Sequence, residues 1–201
     1  MKKPVEFIYF DIGGVLVDHF TGLQKIAQKL GIAEEELIDF FVSHIAEVDR
    51  GSSSWAEMEK QFYQTFQLVQ KLDEPLLHYF VDHFEVIKPT HDLAHELVSQ
   101  FKIGILSDIA VDGYERLVSK KRLPQIPYAA EIISAKIGFL KPEQEIFDYA
   151  LTLAGVPAGK ILLVDDRINN IEAARSLGWQ ASLFEAKAPR KSVATIKKLL
   201  S

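Results

Sequence analysis

Carboxylates, a hydroxyl and an ammonium stand just beyond short apolar runs of this chain. Asp11 follows FIYF (7–10), and Ser107 and Asp108 follow IGIL (103–106). Asp165 and Asp166 follow ILLV (161–164), and Lys141 lies beyond EII (131–133), behind GFL. Adjacent carboxylates at the end of a buried strand repel each other, so a cation must lie near them. An oxygen-only donor set without His or Cys points to Mg²⁺, a hard ion that takes one or two carboxylates and keeps its waters. Lys141 adds a fixed positive charge, and a unit-charge pair at ~4 Å is worth roughly 4 kcal/mol at an effective dielectric of ~20. A cation, a lysine, a hydroxyl and the backbone amides of Gly13-Gly14 together describe a phosphate site. Inside such a site an aspartate can attack phosphorus and become an aspartyl-phosphate.

The elements that must hold these residues follow from the apolar pattern. FIYF, IGIL, EII, ILLV and ASLF (181–184) are continuous apolar runs without polar alternation, as parallel strands covered on both faces require. Amphipathic helix-length segments separate the later runs: 112–121, 143–154 and 170–177, the last closed by Gly178, with 90–100 ahead of IGIL. Alternating strand and helix predicts an α/β fold, a Rossmann-like parallel sheet with right-handed crossovers. The carboxyl ends of such strands share one edge, where ligands bind. Four segments distant in sequence thereby converge, although each polar residue taken singly reads equally as a turn, a cap or a surface group.

Residues 18–84 break the alternation. No strand pattern is evident there, and 23–30, 34–48, 55–66 and 74–84 each carry apolar residues at helical spacing. GSSS (51–54) reads as a loop, with Ser54 and Glu57 spaced for a capping box. The expectation is a small α-helical cap (18–84) inserted after the first strand into a core made of 1–17 and 85–201.

Composition narrows the function classes. The chain has 201 residues, is 48% apolar and 25% charged, and carries a net charge of −5 without a basic patch, which speaks against nucleic acid as a partner. With no cysteine, disulfides, thiol catalysis and Cys-ligated metals are excluded. The basic start MKK leads into an apolar run too short for a signal sequence, and no stretch has the ~18 apolar residues of a membrane span. A cytoplasmic protein with no membrane partner is expected.

With these residues assigned, the chain resembles the haloacid dehalogenase-like hydrolase superfamily. FDIGGVLVD is similar to its first motif, ILSD to the second, GFLKPEQEIF to the third and VDDRINNIEAARSLGW to the acidic fourth. The match runs in order over nearly the whole chain, and the helical insertion stands where this family places a cap. The resemblance implies Asp11 as nucleophile and Mg²⁺ ligand, a metal-facing carbonyl at Gly13, and Asp166 as a direct ligand supported by Asp165 and Asn170. It implies Ser107 and Asp108 at the phosphoryl group, and Lys141 as the charge that stabilises nucleophile and substrate.

The pattern departs from the family at Gly13, where the common phosphatase motif has a second aspartate that serves as acid and base. Asp108 departs too, where Asn is usual. The resemblance therefore implies a Mg²⁺-dependent phosphatase of a small phosphorylated metabolite, such as a sugar phosphate. The alternatives are a non-catalytic phosphate-binding protein and a 2-haloacid dehalogenase, which attacks carbon, needs no metal and does not keep the paired acids. Asp18 is read as the hinge into the cap and as a weaker acid/base candidate. His91 and His95 read as surface residues without a third ligand. Trp55, Tyr63 and Phe66 read as cap core or pocket lining, with core favoured, and Trp179 as packing at the last strand.

Overall fold

A computed structural model describes residues 4–201, so the basic start Met1–Lys3 lies outside the described residues. Five parallel strands form the sheet: β1 (Phe7–Phe10), β4 (Lys102–Ser107), β5 (Ala130–Ile133), β6 (Ile161–Asp165) and β7 (Gln180–Leu183). Their spatial order is β5-β4-β1-β6-β7, with β1 at the centre. Between them in sequence lie β2 (Val17–Asp18) and β3 (Glu85–Val86), which pair with each other antiparallel.

The unbroken apolar runs have the predicted cause. Along β1, Phe7 and Tyr9 point to one face, while Ile8 and Phe10 point to the other. The first face packs on α8 (Gln144–Ala154) and α9 (Ile168–Ser176) through Phe147, Ala150 and Ile171. There Trp179 stacks on Tyr9, with ring centroids 5.8 Å apart, and meets Phe147 edge-on. The Tyr9 hydroxyl, buried by this packing, donates to the Ala150 carbonyl at 2.8 Å. The opposite face is covered by α5 (Lys88–Leu97), α6 (Val111–Ser119) and α10 (Pro189–Leu200) through Leu93, Leu117 and Ile196. Helix α7 (Ser134–Ile137) is a single turn directly after β5.

Four helices fill the chain between β2 and β3: α1 (Phe20–Leu30), α2 (Glu34–Arg50), α3 (Trp55–Thr65) and α4 (Leu76–Asp82). Leu23, Leu37, Phe41, Met58, Phe62 and Phe80 are buried among them. Ser54 accepts from Glu57 N–H while the Glu57 carboxylate accepts from Ser54 N–H, which is the expected capping box. Helix α4 is shorter than the spacing predicts because Pro75 disfavours helical geometry at Glu74. The β2–β3 pair is a correction to the strand-free reading of the region around Asp18 and Glu85. Two residues per strand are too few to carry a periodic signal, yet they bring both ends of the helical insertion to one place. Arg116 of α6 clasps the insertion by two hydrogen bonds to Asp82, each 2.7 Å.

Candidate active site

Strand register brings the first two carboxylates together. Phe10 is level with Val164 on the neighbouring strand, so Asp11 and Asp165, each one residue further on, emerge side by side. The chain then turns sharply: Gly14 N–H donates to the Val17 carbonyl, and the N–H groups of Leu16 and Val17 both return to Ile12. Gly14 has φ +71°, which favours glycine, and a Cβ there would fall inside the Asp166 carboxyl group. The loop after β1 thus closes directly over the carboxylate that follows β6.

Lys141 is the centre of the cluster. Its side chain is fully buried, with Nζ 3.1 Å from Asp11 Oδ1, 2.5 Å from Asp165 Oδ2 and 2.9 Å from the Leu106 carbonyl. Its three donors therefore face three acceptors. Burial opposes the charge on this ammonium, but Asp11, Asp165 and Asp108 outweigh it and hold the pKa above the ordinary lysine range. Asp108 also fixes the lysine's backbone, its Oδ1 accepting Lys141 N–H at 2.9 Å. Asp165 accepts from Lys141, from the Asn170 amide at 3.0 and 3.1 Å, and from Arg167 N–H at 2.9 Å. Both of its oxygens are engaged.

Asp11 and Asp166 remain to face the cavity. Asp11, Asp165 and Asp166 each offer an oxygen within 4.8 Å of the others, the one acidic or histidine cluster of that kind among the described residues. Burial pushes the Asp11 carboxyl up to about 7; Lys141 opposes this, and Asp165, Asp166 and Asp108 add to it. Asp166 is raised by burial and by Asp165, and Asp108 chiefly by burial. Such a set holds more negative charge than one lysine balances, and it consists of hard oxygen donors.

The predicted site residues come to one place. Asp11, Gly13, Ser107, Asp108 and Asp166 line one cavity of about 270 Å³, and Lys141, Asp165 and Asn170 lie buried behind them. Asp18 is not among the lining residues: its Oδ1 accepts Phe20 N–H at 3.0 Å, at the start of α1. His91 faces the Leu16 carbonyl at 3.1 Å, and no acidic or histidine cluster includes it among the described residues. Tyr63 and Phe66 pack against the core, whereas Trp55 is both core and cavity wall.

Sequence reasoning missed His19, Asp49 and Arg167, which also line the cavity. Asp49 reaches in from the last turn of α2, and its Oδ1 accepts Ala110 N–H at 3.1 Å. Burial first, then Asp108, raises its carboxyl well above the usual range. An acid in the last turn of a helix opposes the helix dipole, and that misfit was the available signal. The His19 ring carries a buried Nδ1 with no partner. Burial, followed by Arg167, lowers its pKa to about 4, so the ring is neutral at pH 7.

This architecture has known counterparts. It is similar to a HAD-like family hydrolase of Porphyromonas gingivalis, with 20% identity, a TM-score of 0.76 and 98% of both chains covered. It is also similar to a HAD family enzyme of Bacteroides thetaiotaomicron solved in complex with magnesium and inorganic phosphate (18% identity, TM-score 0.71, 90% of this chain and 95% of that one). An L-2-haloacid dehalogenase shares the fold at 19% identity and a TM-score of 0.70, with 90% of this chain and 84% of that one covered. A 54-residue stretch, 27% of this chain, is 37% identical to drimenol cyclase drtB of Aspergillus calidoustus and spans 10% of that protein. The model of the haloacid dehalogenase-like hydrolase family matches residues 5–178, and by that match the chain belongs to this family of hydrolases.

Proposed function

We propose that the protein is a Mg²⁺-dependent phosphatase that cleaves a small phosphorylated metabolite through an aspartyl-phosphate on Asp11. The observation that carries this reading is Asp11 itself: a carboxylate facing the cavity, with a lysine ammonium 3.1 Å behind it and a second free carboxylate, Asp166, beside it. The donor chemistry fits magnesium, because every candidate ligand is an oxygen and Asp165 is already engaged by Lys141, Asn170 and Arg167. Asp11, Asp166 and the Gly13 carbonyl would hold the ion, which when bound neutralises phosphoryl oxygens and lowers the Asp11 pKa. That the Bacteroides enzyme was solved with magnesium and inorganic phosphate supports the same choice.

In this reading Ser107 binds the phosphoryl group, and Asp108 contributes by setting the Lys141 backbone. Asp11 Oδ attacks phosphorus while the bond to the leaving-group oxygen breaks, and Lys141 offsets charge on the nucleophile. Water then attacks the aspartyl-phosphate, releasing phosphate and restoring the carboxylate. Residues 18–84 act as a lid over a core of 1–17 and 85–201, excluding water during transfer. General acid–base assistance is typically worth 10²–10⁴-fold, and Gly13 cannot supply it. Phosphates with good leaving groups are therefore favoured, and the aspartyl-phosphate accumulates.

The test is phosphate release from acetyl phosphate with Mg²⁺ and with EDTA, followed by rapid quench. Expected are Mg²⁺-dependent turnover, a burst of acetate of up to one equivalent per site ahead of slower phosphate release, and loss of both in Asp11→Asn. Halide release from 2-haloacids without metal would replace this reading with the dehalogenase one. Tight phosphate binding without turnover would make the protein a binding module.

A further inference from the structure

The cavity in front of Asp11 has two unlike walls. The sheet side carries the charged and hydroxyl groups already described. The opposite side comes from the helical insertion: Leu23 of α1, Phe41 and Ile45 of α2, Trp55 of α3, Phe80 of α4 and Phe84. The same apolar surface continues outward to the rim, where Phe20 and Val42 line the cavity and are 49% and 71% exposed. Large apolar side chains left in water at the lip of a cavity mark a place where something apolar is bound.

Polar functions on that wall are few. From the insertion and its entry, only His19, Asp49 and the Trp55 indole N–H contribute among the described lining residues. Asp49 already accepts the Ala110 N–H, and Trp55 Nε1 is buried without a partner. A sugar placed here would bring several hydroxyls against Phe41, Ile45 and Phe80, and each hydroxyl stripped of water without a partner is penalised. An apolar group placed here would instead remove both its own surface and that of the wall from water.

We infer that the substrate is a phosphate monoester of an apolar hydroxyl compound whose oxygen departs readily without a proton, such as a phenol, with its organic group against Phe41, Ile45, Trp55 and Phe80 while its phosphoryl group meets Asp11. This inference rests on the phosphatase reading and narrows it away from sugar phosphates. The cavity of about 270 Å³ has room for a phosphoryl group and an organic portion, and its apolar wall runs on to the exposed rim at Phe20 and Val42.

Alkylphosphonates from methyl to hexyl test this without any chemical step, measured as competitive inhibitors of acetyl phosphate hydrolysis with Mg²⁺. Each methylene buried against the wall should lower Ki about fourfold. Hexylphosphonate should bind more tightly than glucose 1-phosphate. The wild-type methyl-to-hexyl ratio of Ki should fall at least tenfold in Ile45→Asn. Val42→Asp, which alters only an exposed rim position, should lower it as well and guards against a folding defect in the first variant. A Ki independent of tail length, or tighter binding of glucose 1-phosphate, overturns the inference while leaving the phosphatase reading standing. Acetyl phosphate is too small to use the apolar wall, so its failure to turn over would instead indict the phosphatase reading. In that event the same phosphonate series, followed by direct calorimetry, still decides whether the wall selects apolar groups.

Discussion

Replacing Gly14 by alanine should weaken magnesium binding without substituting any of the residues proposed to hold the ion. A Cβ at position 14 would overlap the Asp166 carboxylate, its Cγ lying only 2.6 Å from the new atom. The backbone is at φ +71°, so the methyl also carries a left-handed penalty of about 1–2 kcal/mol. The loop has little room to yield, because Gly14 N–H and three following amides are tied to Val17 and Ile12. The carboxylate must therefore swing out of the cluster. Losing one charged ligand should cost the ion about 2–4 kcal/mol, or roughly 30- to 1,000-fold in Mg²⁺ Kd. Folding stability in EDTA should fall less, since removing one of three facing carboxylates relieves repulsion. Calorimetric Mg²⁺ titration of wild type, Gly14→Ala, Asp166→Ala and the double variant reads the effect. The two single variants should be equally poor, and the double no worse than either, because both act on one carboxylate. Wild-type Mg²⁺ affinity in Gly14→Ala would show that Asp166 does not hold the ion.

Lys141→Met should cost about 3–5 kcal/mol in urea denaturation, because it leaves Asp11 and Asp165 buried without their shared cation. Magnesium should recover part of this loss. The stabilisation conferred by Mg²⁺ should itself grow with pH. An acid raised in the fold from 3.8 to about 7 favours the protonated native state, so the metal-free fold loses stability as pH rises between those values and is level above. At about 1.4 kcal/mol per unit, Asp11 accounts for at most about 4 kcal/mol. His19, lowered to about 4, acts in the opposite sense below its ordinary value, so the quantity to measure is Tm with Mg²⁺ minus Tm with EDTA, at pH 5, 6, 7 and 8. A difference that does not rise toward pH 7 would contradict metal binding at Asp11. Arg50 joins the end of α2 to Glu143 and to the Gly138 carbonyl, beside the loop that delivers Lys141. Arg50→Ala should speed thermolysin cleavage of the insertion and raise KM for acetyl phosphate with little change in Tm.

What the sequence made legible was whatever depends on neighbours in the chain. The runs FIYF, IGIL and ILLV announce strands covered on both faces, and in a parallel sheet the next residue of each must reach the same edge. Asp11, Ser107 and Asp165 were therefore readable as a group. Which carboxylate would face the cavity came from the resemblance of the fourth motif and not from the residues themselves, since Asp165 and Asp166 are consecutive and identical. Only register and the Asn170 amide direct one inward to Lys141 and leave the other outward. Asp49 and His19 enter the site through the packing of α1 and α2 over the sheet, a tertiary relation that helical periodicity does not encode. Trp55 shows the same limit. A buried aromatic at helical spacing looks identical whether the far side of its ring meets another helix or an open cavity.

Position 13 is the point at which the fold gives the motif a meaning its letters lack. A glycine where related sites carry an aspartate could mark decay, which would leave a hole. Here an added Cβ would come within 3.2 Å of His19 Nδ1, so the imidazole packs closely beside the position such a side chain would take, at the wall of the cavity. The ring is held by stacking on Phe20 at 4.4 Å and by an edge contact with Phe84, both of which line the cavity. In the phosphatase reading, glycine at position 13 beside a neutral ring leaves no negative charge where the leaving group would depart. Solvation of a polar leaving group is thereby weakened, and burial of an apolar one is made easier. The same glycine offers no general acid, which matters least when the leaving group departs readily without a proton. Gly13 and His19 thus lie side by side where the cavity passes from Asp11 to the apolar wall formed by Phe41, Trp55 and Phe80.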